Sequence, residues 1–325
     1  MGLPPPLVIQ AGQTLWNSLW HVMMGNLAPS DRGGGYRRPT SQFRHRIGSE
    51  LPNFPAASGR YRLIVGRSCP WAHRTLLVRA LKGLEDAIAI TWAIADPSVG
   101  GWRLSDAFAG CKTLPDLYQK AAPGYDGRAT VPMLWDDHRQ AIVNNESAEI
   151  IQILNAQFND FARNPRDLYP PEIREAGDRW NQRIYDTVNN GVYRCGFAQS
   201  QTAYDQACDQ LFNTLDAIEI ALEEAPYLLG DKLTLTDVRL FPTLIRFDLV
   251  YHHLFRCNRR RIYDYPHLWQ YLKSIYQQPN VATTCDLEGI KTDYYQSLFP
   301  LNPGGIVPQG PDLKALLSDN KSSSI

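Results

Sequence analysis

The 325-residue sequence has no apolar run long enough to cross a bilayer. The longest, residues 87–95, is interrupted by Thr91, whereas a spanning helix needs about 20 apolar residues. Charge of one sign is also lacking: 33 Lys and Arg balance 33 Asp and Glu, which argues against gripping nucleic acid or anionic lipid by bulk charge. No Lys or Arg precedes Arg32, and Pro4, Pro5 and Pro6 come early, unlike a secretory signal. Pro6 also occupies the position where a myristoylation signal on Gly2 wants Ser or Thr. A cytoplasmic protein with no membrane or nucleic-acid partner is expected. The six cysteines, at positions 69, 111, 195, 208, 257 and 285, include no pair separated by two residues, so zinc-ribbon and dithiol redox patterns are missing. They are too sparse for a secreted disulfide framework. His252 and His253 beside Cys257 make a poor metal site, because adjacent helical side chains point about 100° apart. No metal and no bound cofactor are expected.

What is present reads as an α/β block followed by an all-helical one. Residues 1–57 form an extension punctuated by Pro and Gly, with Leu15, Trp16, Leu19, Trp20 and Met23 at helical spacing. The missing basic residues disfavour a membrane-surface helix, and packing onto the protein's own body or a second subunit is expected. A domain over 58–160 follows. The pattern predicts a strand at 61–65, a helix at 70–81 and a strand at 88–94 with Ile88, Ile90, Trp92 and Ile94 on one face. An insertion at 96–127, rich in Gly and Pro, is expected to carry little regular structure. Two strands, 131–135 and 140–143, joined by the polar turn Asp136-Asp137-His138, and a helix at 147–158 complete a thioredoxin-like order. After a linker at 159–171, a helical domain spans 171–299. One face is formed by Ile173, Ala176, Trp180, Ile184 and Val188, and another by Tyr204, Ala207, Leu211, Leu215, Ile218 and Leu222. Thr234-Leu235-Thr236-Asp237 reads as a capping box opening a helix that runs toward Tyr251. A tail over 300–325 ends in a Ser-rich segment expected to be disordered.

One cysteine has neighbours that give it chemistry. Ser68-Cys69-Pro70-Trp71-Ala72-His73-Arg74 follows the first strand and opens the first helix. A thiol there faces unpaired backbone N–H groups and the positive end of the helix dipole, so its pKa is expected to fall. Arg67, His73 and Arg74 offer further positive charge. A dithiol enzyme would carry its second cysteine at position 72, where this chain has Ala72. Cys69 therefore needs an external thiol, which in cytoplasm most often means glutathione. Thr130-Val131-Pro132 precedes a strand, where a cis proline would turn the Val131 backbone outward to pair with an extended peptide. Asn145-Glu146-Ser147 opens a helix whose N–H groups and Ser147 hydroxyl suit a carboxylate, while Glu146 suits an ammonium.

These features, followed by an all-helical block, resemble the cytosolic glutathione transferases. The strings Cys69 to Arg74, Gly101-Trp102, Arg128 to Pro132, Asn144 to Ile151 and Asn190-Gly191-Val192-Tyr193 resemble the glutathionyl-hydroquinone reductases, or Xi class, over about residues 43–308. The resemblance implies a homodimer that uses glutathione as co-substrate. It implies Cys69 as nucleophile on a glutathionyl-hydroquinone, Tyr193 as proton donor, and Tyr251 and Tyr294 as groups that lower the cysteine pKa. Trp102, Arg128, Val131, Glu146 and Ser147 correspond to glutathione contacts. The chain departs from the family pattern at Leu104 and at Arg67-Ser68. Two other readings compete: an Omega-like monothiol transferase reducing dehydroascorbate or mixed disulfides, and a non-catalytic module with the same fold.

Overall fold

The computed structural model describes residues 4–48, 54–99 and 101–318. The chain opens with helix α1 (Pro5–Leu27), which holds no charged residue. The expected stripe only partly faces the body. Met24 is buried and Trp20 packs on the core, but Leu15 and Leu19 are 63% and 47% exposed. Trp16 meets Phe299 edge-to-face, with ring centroids 6.2 Å apart. Among the described residues, no helix is long and apolar enough to cross a membrane.

Strand β1 (Tyr61–Gly66) leads through helix α2 (Pro70–Lys82) to β2 (Ile88–Asp96), and the two strands pair in parallel with Tyr61 opposite Ile88. A parallel pair requires such a crossover. The insertion expected to be irregular forms β3 (Gly101–Phe108), β4 (Cys111–Thr113) and helix α3 (Leu114–Ala121). Its glycines and prolines punctuate those elements: Gly110, at φ 78°, lies in the turn between β3 and β4, and Pro115 stands in the first turn of α3. Backbone pairing needs no apolar alternation, so Ala95 faces Trp102 across the β2–β3 ladder without a hydrophobic period to announce it. The single apolar face expected of β2 is not kept. Thr91 and Ala93 are buried, and Ile94 is 39% exposed.

Strands β5 (Met133–Asp136) and β6 (Ala141–Asn144) and helix α4 (Ser147–Gln157) follow. The sheet order is β4-β3-β2-β1-β5-β6, and β5 runs antiparallel to β1. This is the thioredoxin-like arrangement widened by two strands. The Asp136 carboxylate ends the β5 strand by accepting from the backbone N–H of His138 and Arg139 and pairing with Arg60.

The helical half comprises α5 (Arg174–Ile184), α6 (Gly191–Gly196), α7 (Gln201–Glu224), α8 (Leu235–Arg246), α9 (Pro266–Tyr276), α10 (Leu287–Ser297) and α11 (Leu313–Ser318). The face predicted to run from Ile173 to Val188 is interrupted by a π-turn at Tyr185–Asn189. A second π-turn, Phe247–Tyr251, extends α8 to Tyr251. Such bulges insert a residue and rotate the side chains beyond them, and they recur at functional sites. The described part of the tail ends in α11, where Leu313 and Leu317 are buried; the Ser-rich end falls outside the described residues.

The capping box at the start of α8 is present. Thr234 Oγ1 accepts from Thr236 N–H, and the Asp237 carboxylate accepts from Thr234 N–H at 2.7 Å. Asp237 also accepts from Leu228 N–H and the Tyr271 hydroxyl, joining α8 to α9. Thr234→Ala is expected to cost about 1 kcal/mol. Asp237→Ala, which strands several buried donors, should cost about 3 kcal/mol or more. Urea unfolding of the two variants measures both.

Candidate active site

Cys69 is the N-cap residue of α2, extended at φ −72° and ψ 116°, with Pro70 at the first helical position. Proline there loses no hydrogen bond, since that N–H lacks an intrahelical partner in any helix. The half-buried thiol donates to the Val131 carbonyl at 3.5 Å, and the Val131–Pro132 bond is cis. Burial pushes the Cys69 thiol above its ordinary value. Opposing this are the backbone N–H groups of Ala72 and Trp71 and the guanidiniums of Arg38 and Arg246. The expected helix-start donors are in place, but burial outweighs them, so the anticipated fall in pKa does not occur.

The cations around Cys69 also differ from those its sequence neighbours suggested. Arg67 is exposed, bonded to Asp286 at 3.2 Å and stacked over Trp92. Arg74 turns toward α4 and donates to the Ser147 hydroxyl at 3.4 Å and to Asn189. His73 is buried and held well below its usual pKa by burial and by Arg246, so it carries no charge. Arg246 itself is fully buried. It donates to the carbonyls of Ser68 and Arg67 at 2.9 and 3.2 Å, and to His73 Nδ1 at 2.9 Å. With Nδ1 accepting, the imidazole proton sits on Nε2 and is donated to Thr284 Oγ1, 2.9 Å away.

Sequence reasoning missed Arg246 as a site residue; a lone cation within the apolar stretch 240–250 was the one signal for it. It also missed the extension's contribution. Arg38 lies 3.9 Å from the Trp71 ring centroid, and Tyr36 packs against Tyr193 and Phe197. The Ser41 hydroxyl donates to Glu146 Oε2 at 3.0 Å. Nothing in the polar, turn-rich lead-in marks these contacts.

A cleft of about 730 Å³ opens over Cys69. Trp102, Arg128, Tyr193, Asp293 and Tyr294 line it, with an apolar side formed by Met23, Leu298, Phe299 and Pro300. Tyr193 and Tyr294 hydroxyls are 2.6 Å apart, and Tyr294 and Tyr251 hydroxyls 3.0 Å. Burial raises all three well above the ordinary phenol value, so they stay protonated at neutral pH. Tyr251 is fully buried behind Tyr294 and does not line the cleft. Glu146 and Ser147 are also absent from its wall. Glu146 is the N-cap of α4, its carboxylate accepting from Ala148 N–H at 3.0 Å; Ser147 begins the helix proper. Trp102 lies across Gly66, where a Cβ would stand 2.3 Å from the indole.

A thioredoxin-like half with a single cysteine at a helix start, facing a helical half across a cleft, defines a glutathione transferase of the cysteine type. The chain matches the families described as Glutathione S-transferase, N-terminal domain, over residues 68–157 and Glutathione S-transferase, C-terminal domain, over residues 201–274. It is 44% identical to the glutathionyl-hydroquinone reductase PcpF of Sphingobium chlorophenolicum, across 91% of this chain and 94% of that one. The crystal structure of the glutathione S-transferase Xi from Phanerochaete chrysosporium is 45% identical and superposes with a TM-score of 0.82, covering 87% of this chain and 95% of that one. Glutathione-bound YqjG of Escherichia coli gives 42% and 0.79, covering 86% and 94%. The chain belongs to the Xi-class glutathione transferases, the family of the glutathionyl-hydroquinone reductases.

Two outcomes check this geometry. Arg38 favours the Cys69 thiolate, so Arg38→Gln should move the inflection of Cys69 alkylation by iodoacetamide to higher pH, leaving folding unchanged at this exposed position. Gly66→Ala should force the indole aside, lower stability by about 1–3 kcal/mol and alter tryptophan fluorescence; urea unfolding and emission spectra measure both.

Proposed function

We propose that this protein uses glutathione to reduce glutathionyl-hydroquinones to free hydroquinones. The observation that carries the reading is the pairing of a monothiol at a helix start with protonated tyrosine hydroxyls across one cleft. The Cys69 thiolate attacks the glutathione sulfur of the aryl thioether, and the carbon–sulfur bond breaks toward the ring. The ring carbon takes a proton from Tyr193, leaving hydroquinone and a Cys69–glutathione disulfide. A second glutathione thiolate attacks the glutathionyl sulfur, yielding oxidised glutathione and restoring Cys69. Over the cycle the aryl carbon is reduced, and the thioether sulfur and the thiol of the second glutathione are oxidised together to the disulfide, so the reaction balances without a metal or a bound cofactor. Tyr251 and Tyr294, the residues expected to lower the cysteine pKa, form the hydrogen-bonded chain that orients Tyr193, and the proton that Tyr193 gives up is restored from the thiol of the second glutathione.

For glutathione, Trp102 supplies an aromatic wall and Arg128 a cation for a carboxylate. Val131 supplies backbone pairing, and Glu146 and Ser147 hold the γ-glutamyl end. Similarity to the reductase PcpF and to glutathione-bound YqjG supports this ligand and reaction. A homodimer in the cytoplasm is proposed with it; the exposed Leu7, Val8, Ile9, Leu15, Leu19 and Val22 of α1 give the single chain an uncovered apolar face.

Release of hydroquinone from S-(2,5-dihydroxyphenyl)glutathione plus glutathione, followed by chromatography, tests the reading. Cys69→Ser is expected to abolish release. Tyr193→Phe should lower kcat about a hundredfold with KM nearly unchanged. Brisk dehydroascorbate reduction without hydroquinone release would instead make the chain an Omega-like transferase.

A further inference from the structure

The cleft contains a carboxylate that neither the thiol chemistry nor the glutathione contacts use. Among the described residues lining it, Asp293 is the one acid and Arg128 the one cation. Asp293 is adjacent to Tyr294 on α10, on the helical side of the cleft. It is half-buried, and the hydroxyl of Ser68, the residue preceding Cys69, favours its charged form. Burial and the neighbouring Asp286 raise its pKa, and Arg67 lowers it. Arg67 is itself committed to Asp286 and to the Trp92 ring. Among the described residues no cation is ion-paired with Asp293. A carboxylate so placed has acceptor capacity left over and carries a desolvation cost that a ligand donor would offset.

Glutathione does not need this group, since its ammonium is assigned to Glu146 and its carboxylates to Arg128 and the start of α4. The other half of the substrate does. A hydroquinone ring presents O–H donors, whereas the corresponding quinone presents only acceptors and an aryl ether presents no donor. Resting on the proposed reductase reaction, we propose that Asp293 is a specificity residue for the aryl group, accepting a hydrogen bond from a free ring hydroxyl. It thereby selects reduced, hydroxylated rings over quinones and methoxylated rings. The apolar side of the cleft accommodates varied ring substituents, while a single acceptor demands one hydroxyl. A site built to accept from a hydroxyl rejects the analogue lacking it more strongly than an apolar wall rejects a change of size.

The test separates this from the reaction itself. In a Cys69→Ser background, which cannot turn substrate over, calorimetry measures binding of S-(2,5-dihydroxyphenyl)glutathione and of S-(2,5-dimethoxyphenyl)glutathione. Asp293→Ala is expected to weaken the dihydroxy ligand about tenfold and leave the dimethoxy ligand within twofold. Asp293→Asn, which keeps the shape and one acceptor oxygen, should give a smaller loss confined to the same ligand. Equal weakening of both ligands, or of neither, overturns the proposal. Failure of the proposed reaction would show separately, as absence of hydroquinone release from the unsubstituted protein, and the binding comparison would still decide the role of Asp293.

Discussion

The geometry of the site depends on one buried guanidinium. Arg246 ends α8 in the helical half and spends its donors on the carbonyls of Arg67 and Ser68 and on His73 Nδ1. Those three groups belong to the turn that presents Cys69 and to the first turns of α2. A buried cation without a carboxylate is tolerated only when its donors are met, and here the thioredoxin-like half meets them. The same contact therefore docks the two halves, fixes the cysteine loop and brings positive charge behind the sulfur. Burial, with Arg246 adding to it, keeps His73 neutral, turning an apparent second cation into a spacer between Arg246 and Thr284.

Burial works in two directions around that loop. It opposes the Cys69 thiolate, against which the α2 N–H groups, Arg38 and Arg246 contribute. It also keeps Tyr193, Tyr251 and Tyr294 protonated, which is the state a proton donor requires. One cleft thus disfavours the Cys69 thiolate and holds protonated phenols beside it. Asp293 is the exception within it, a half-buried carboxylate in the cleft wall for which a ring hydroxyl is the proposed partner.

The segments that looked least structured in the sequence complete the site. The 96–127 insertion widens the sheet and delivers Trp102 over Gly66. The extension passes Tyr36 by Tyr193, stacks Arg38 on Trp71 and ties Ser41 to Glu146. Their contacts depend on backbone pairing and single polar groups, which leave no period in the sequence.

Local chemistry was legible from the residues alone. The strand–Cys69–Pro70–helix junction, Ala72 in place of a second thiol, and the Thr234–Asp237 capping box each depend on residues a few positions apart, so short strings specify them. The order of strands and helices came from hydrophobic period and led to the fold class. The tertiary structure decided matters that concern groups far apart in the chain. The direction of Arg74 away from Cys69, the neutrality of His73, and the raised rather than lowered cysteine pKa all depend on the groups that pack against them. The same holds for the roles of Arg246 and Arg38 and the place of Asp293 beside Ser68. Burial and charge are properties of the assembled neighbourhood, and no local spacing encodes which distant side chain will fill it.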